Sequence, residues 1–182
     1  MTATGTATFT QDLLDELETE GRTTRRMLER VPADQLSWRP HPKSMSLGQL
    51  ALHTAKVPGG LAGLLSTDGF DVSQMSFNAP MPADREEILS AHDTGLSNAE
   101  EFLRRQDGPS LEHLWAMTNK EQTLFALPRA KLVRSLMFNH WYHHRGQLAV
   151  YLRLLDVPVP ASYGPSADEN PFAARPASAV SA

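Results

Sequence analysis

Apolar residues recur three and four positions apart along four separate stretches of the chain, with charged residues between them. That is the pattern of amphipathic helices with one buried face. The first stretch runs from about Thr10, with Leu13, Leu14, Leu17, Met27, Leu28 and Val31 on its stripe; Gly21 weakens its middle, and Pro32 ends it. Ser46 suits the N-cap of a second helix, whose stripe reads Leu50, His53, Val57, Leu61 and Leu64. Pro58 cannot donate to the carbonyl of Thr54, so a kink or early stop is predicted just after His53. A third helix is predicted from Ala83 or Asp84 to about Arg105, with Ile88, Leu89, His92, Leu96, Ala99, Phe102 and Leu103 inward. The fourth, from Pro128 at its first position to about Asp156, has the cleanest stripe: Val133, Met137, His140, His144, Leu148, Tyr151 and Leu155.

The intervening segments have no such period. Residues 32–45 hold three prolines and read as an ordered connector, and residues 66–82 read as a loop. Residues 106–127 read as a long connector with one short helical turn around Leu111–Trp115, and that length points to a functional role or a crossover. With no strand alternation and no repeat, the expected fold is all-α: a four-helix bundle with long connectors and a docked C-terminal tail. Its expected organisation is a flexible N-terminus over 1–8, the bundle over 9–170 and a flexible Ala/Ser/Pro-rich tail over 171–182, with Tyr163 and Phe172 available to dock.

Composition narrows the chemistry. The chain has 182 residues and no cysteine, which removes disulfides, thiolate nucleophiles and Cys-based metal sites. Any metal must therefore be held by His or oxygen ligands. Its 17 Lys+Arg against 21 Asp+Glu give a formal net charge of −4, and without a basic run no nucleic-acid partner is expected. The N-terminus lacks a charged start followed by an apolar core, and no stretch approaches the roughly 18 apolar residues of a spanning helix. A soluble, cytoplasmic protein with no membrane association is expected.

Among the seven histidines, His140 and His144 are four apart and project from one helical face, where two imidazoles can share a metal ion. The pair alone reads equally well as two interior histidines satisfied by polar neighbours. His53 is a third histidine on the buried stripe of another helix. Three imidazoles buried without partners for their nitrogens would be costly, and one shared metal accounts for all three.

The stretches QLSWRPHPKSMSLGQLALH and NHWYHHRGQLAVYLRLLDVPVPASYGPSADE resemble the DinB-like family, which includes the DinB/YfiT-type metalloenzymes. The similarity runs from the first helix to Glu169 and is most specific over His140 to Leu148. It implies a four-helix bundle with a three-His site for a divalent ion, zinc or nickel, and by position the ligands are His53, His140 and His144. It also implies chemistry with low-molecular-weight thiols, as in related thiol-dependent transferases and isomerases. The family name refers to induction by DNA damage, a stress-response regulation rather than a DNA-binding chemistry.

Three further residues border this site. His143, about 100° around the helix from His144, could orient a ligand or line a pocket, or simply face the surface. Arg145 could anchor an anionic substrate or pair with Asp168 or Glu169. His92 reads as a packed core histidine, with a fourth metal ligand as the alternative. His41 and His113 lie in connectors and read as ordinary, while Trp38, Trp115 and Trp141 read as core or interface. No catalytic general base is identifiable. The expected function is a divalent-metal-dependent transferase or hydrolase with an open coordination position and a small-molecule substrate. The alternative is a non-catalytic metal-binding stress-response protein whose ion is structural and closed by a fourth ligand. A homodimer is expected, because Trp141, Tyr142 and Leu152 lie beside the fourth helix's stripe and need cover.

Overall fold

The four periodic stretches form four long helical segments in a computed structural model that describes residues 3–75 and 79–173. Helix α1 spans Ala3–Leu28, α2 Leu47–Leu65 and α3 Arg85–Arg104. The fourth segment is composite: α5 Arg129–Leu132, a π-helical stretch Val133–Asn139, and α6 His140–Leu154. A short helix, α4, covers Gly108–Glu112. Helix α1 begins seven positions before the expected Thr10. Beyond residue 173 the expected flexible tail lies outside the described residues.

Capping residues set the helix starts. Ser46 caps α2 in a reciprocal box: its hydroxyl accepts from the Gln49 backbone N–H at 3.3 Å, and the Gln49 side chain accepts from the Ser46 N–H at 2.9 Å. Asp84 caps α3 by accepting from the Glu87 N–H at 2.8 Å.

The early stop offered as one outcome after His53 does not occur, and α2 continues through Pro58 to Leu65. The ring is buried within the packed helix, and the next residue, Gly59, meets α3. A Cβ on Gly59 would sit 2.7 Å from the Gly95 Cα, and one on Gly95 3.0 Å from the Ala55 carbonyl oxygen. Backbone-to-backbone packing of this kind carries α2 through the loss of one hydrogen bond.

The connector over residues 106–127 is not irregular. Strands β1 (Gly69–Asp71), β2 (Leu114–Asn119) and β3 (Gln122–Pro128) form a small sheet in the order β1-β2-β3, parallel then antiparallel. The fold is thus mainly helical, with a sheet that an all-α reading omitted. Of β2, only Trp115 is fully buried, and β3 has no buried residue, so no two-residue alternation marks either strand. Lys120, at φ 54°, makes the turn between them, and the Asp71 carboxylate accepts from its backbone N–H at 3.0 Å.

Two apolar clusters fill the bundle. One contains Leu13, Leu17, Val57, Phe102, Trp115, Phe138 and Trp141; the other contains Met27, Leu28, Leu50, Ile88, Leu148 and Leu152. Buried polar residues lie between them along the helices: Thr24 on α1, His92 on α3 and Arg145 on α6. Trp141 and Leu152 are therefore core residues, not the surplus surface that suggested a dimer.

After Asp156, at φ 56°, the chain folds back along the bundle. Asp168 pairs with Arg153 and accepts from the Val159 N–H at 2.8 Å. Glu169 pairs with Arg26 at 2.5 Å and accepts from the Ala161 N–H at 2.6 Å. Tyr163 reaches back to α1, but Phe172 is 76% exposed and does not dock.

Candidate metal centre

His53 comes from the middle of α2, and His140 and His144 from the first turns of α6. Their ring centroids are 4.4 Å (His53–His144), 4.5 Å (His140–His144) and 5.4 Å (His53–His140) apart. One nitrogen from each lies within 4.8 Å of the other two, so the three could hold a metal ion. Among the described residues, no fourth His, Asp or Glu joins the group.

The fourth segment presents these rings through a change of helical register. Its buried line is Val133, Met137, Trp141, Arg145, Leu148 and Leu152, not the expected line through His140 and His144. Four-residue steps would drift around an α-helix, but the wider i→i+5 turns of the π stretch absorb the drift. The two histidines therefore sit half-buried at the edge of the core face.

A hydrogen bond defines the tautomer of His144. His144 Nδ1 lies 2.8 Å from the Gln147 Oε1, an oxygen that only accepts, so Nδ1 carries the proton and Nε2 the lone pair. That Nε2 faces the His140 Nε2 at 2.6 Å. The Leu136 carbonyl is hydrogen-bonded to the His140 ring and opposes the lowering of its pKa by burial. The His144 lone pair can accept from a proton on His140 Nε2, or both nitrogens can turn lone pairs to a shared cation. The rings are also kept neutral. Burial, before any other cause, pushes the His144 pKa down to about 4 and lowers those of His53 and His140.

The neighbouring residues divide. His143 is exposed, its ring 5.0 Å from that of His144. His92 is elsewhere, fully buried on α3, with Nε2 3.1 Å from the Gly21 carbonyl oxygen. Arg145 turns away from the histidines into the core and pairs with Glu20 at 2.5 Å, not with Asp168 or Glu169, which serve Arg153 and Arg26. It also donates to the Thr24 hydroxyl at 3.2 Å and the Tyr163 hydroxyl at 2.5 Å, and lies over the Tyr142 and Tyr163 rings.

Sequence reasoning missed the companion of that cluster. Glu16 accepts two bonds from Arg134, at 2.6 and 2.8 Å, and one from the Tyr142 hydroxyl at 2.6 Å. These bonds, led by Arg134, hold the Glu16 carboxyl below its usual pKa range. The available signal was that Glu16 and Glu20 are four apart and share one face of α1. Together these contacts tie α1 to the π stretch and to α6.

The DinB family matches residues 2–172. The uncharacterized protein YrdA of Bacillus subtilis (strain 168) is 26% identical over 159 residues, covering 86% of this chain and 89% of YrdA. Two crystal structures share the fold. A DinB-like protein of Bacillus subtilis superposes with a TM-score of 0.63 at 17% identity, over 82% of this chain and 96% of its own. A DinB-like protein of Bacillus cereus ATCC 10987 gives a TM-score of 0.60 at 23% identity, over 82% and 95%.

Proposed function

Because the chain belongs to the DinB family, we propose that it is a divalent-metal-dependent enzyme, a thiol-dependent transferase or hydrolase. In this reading zinc or nickel is held by His53, His140 and His144. The observation that carries it is the convergence of His53, His140 and His144, one nitrogen of each lying within 4.8 Å of the other two. His53, His140 and His144 as neutral imidazoles would hold the ion, which would supply a Lewis acid for activating a thiol or water. Among the described residues no fourth His, Asp or Glu joins the group, which favours this over a closed, structural ion.

The chain's own residues prepare the site. Gln147 fixes the ring orientation and tautomer of His144, and the Leu136 carbonyl holds the His140 ring. Burial keeps the imidazoles unprotonated and ready to ligate. His143, exposed beside His144, is placed to meet a substrate at the rim. Arg145 is committed to Glu20 and is not the anion anchor. The substrate is a small molecule, with a low-molecular-weight thiol as co-substrate. The protein acts in the cytoplasm in a stress response, as a homodimer; exposed Val150 and Leu154 on α6 supply apolar surface for the contact.

Elemental analysis of purified protein tests the reading. One divalent ion per chain is expected in the wild type and almost none in the His140→Ala/His144→Ala variant. Equal content in both would refute the site, and thiol-transferase activity indifferent to chelator would refute the chemistry.

A further inference from the structure

Arg134 and Tyr142 are eight positions apart in the fourth helical segment. At 3.6 residues per turn, eight steps make two turns and about 80° more, so on a continuous α-helix the two side chains would leave on different sides. In the folded chain both end on one carboxylate. Glu16 on α1 accepts from Arg134 at 2.6 and 2.8 Å and from the Tyr142 hydroxyl at 2.6 Å.

Arg134 lies at the start of the π stretch Val133–Asn139, and Tyr142 lies just beyond its end. The wider i→i+5 turns of that stretch rotate less per residue than α turns, which removes the offset. Helical segments of this kind are rare and mostly single turns, so a run of seven residues needs support from outside the helix. Glu16 supplies it on both sides of the run. The Arg134 guanidinium also lies 5.1 Å from the ring centroid of Phe138, a buried residue of the same stretch. Glu20, one turn further along α1, takes Arg145 and Tyr163. Both lie beyond the stretch, so Glu20 cannot bridge it.

The register decides where the histidines stand. His140 and His144 follow the π stretch directly on α6, whereas His53 belongs to α2. Were the seven residues α-helical, everything after Asn139 would turn about the helix axis relative to Arg134 by roughly the same 80°. The His140 and His144 rings would then swing away from His53. Helix α1 contributes no ligand to the group, yet it carries the carboxylate that sets this angle.

We propose that Glu16 is a positioning residue of the three-His centre. It gathers Arg134 and Tyr142 on one carboxylate, fixes the π register, and so brings His140 and His144 to His53. This rests on the reading of that centre as a metal site.

Cobalt(II), whose visible absorption reports coordination geometry, tests the proposal on the full-length protein. Glu16→Ala is expected to bind it at least about tenfold more weakly than the wild type, the scale for losing a residue that orients metal ligands, with a changed spectrum. Glu16→Gln, which keeps one acceptor oxygen, should fall between the two. Glu169→Ala removes another ion pair from α1, that with Arg26, and should keep the wild-type affinity and spectrum. In the metal-free protein, nuclear Overhauser contacts from α-protons to amide protons five residues on should mark residues 133–139 of the wild type and vanish in Glu16→Ala. Should that variant fail to fold, Tyr142→Phe, which deletes one of the three bonds, is read in the same way. Unchanged cobalt affinity in the folded variant, an equal loss in Glu169→Ala, or five-residue contacts retained in the variant would each overturn the proposal. Wild-type protein that takes up no cobalt(II) would instead refute the metal site, and the five-residue contacts alone would then decide the clamp.

Discussion

Arg145 and Glu20 form an ion pair whose side chains are 3% and 12% exposed, so both charges are largely withdrawn from water. Arg145→Ala leaves the Glu20 carboxylate without its cation, with the Tyr163 hydroxyl still donating at 3.2 Å, and removing one member of a buried pair costs about 3–5 kcal/mol. A large fall in the urea midpoint is expected, with metal content per folded chain unchanged because the arginine faces away from the ligands. Histidine burial gives a second expectation. His53, His92, His140 and His144 all have folded-state pKa values below the ordinary 6.5, His144 at about 4. Between these values the unfolded chain binds protons that the folded chain refuses. The metal-free protein should therefore hold full stability above about pH 6.5 and lose it progressively as pH falls toward 4. Urea melts at pH 7.5, 6 and 5 check this; a flat midpoint would contradict it.

Helices α2 and α3 touch through glycine, and the two neighbouring glycines of α2 make opposite predictions. A Cβ on Gly59 would meet the Gly95 backbone at 2.7 Å, whereas one on Gly60 meets nothing within 4 Å. Gly59→Ala should force the helices apart and cost about 1–3 kcal/mol, as overpacking does. Because Gly59 shares α2 with His53, that shift should also weaken metal affinity. Gly60→Ala gains helix propensity without a clash and should be neutral or stabilising by up to about 1 kcal/mol. Thermal melts and metal titration of both variants separate the two cases.

The two apolar clusters and the α1–α6 polar ties account for the bundle without any ion. Chelation should therefore lower the melting temperature only modestly and leave the helical circular dichroism in place, unlike a zinc finger, which unfolds when its metal is removed. Outright unfolding by chelator would make the ion structural and remove the enzyme reading. No helix among the described residues is long and apolar enough to cross a membrane.

Periodicity alone located the four long helices, because each buries a stripe that repeats near 3.6 residues, and local capping chemistry located Ser46. The spacing of His140 and His144, with His53 on a second stripe, was likewise legible, since helix geometry places such residues on a common side. Three features were decided only by the folded chain. The hairpin rests on one buried residue, Trp115, too few to leave an alternating pattern. Helix α2 survives Pro58 because Gly59 and Gly95 bring two backbones together, a contact that joins residues 36 positions apart. The π stretch moves the buried line of α6 from His144 to Arg145, so the histidines stand at the edge of the core and the arginine inside it. A helix written in sequence has a period but no absolute rotation, and only packing against its neighbours sets which residues face inward.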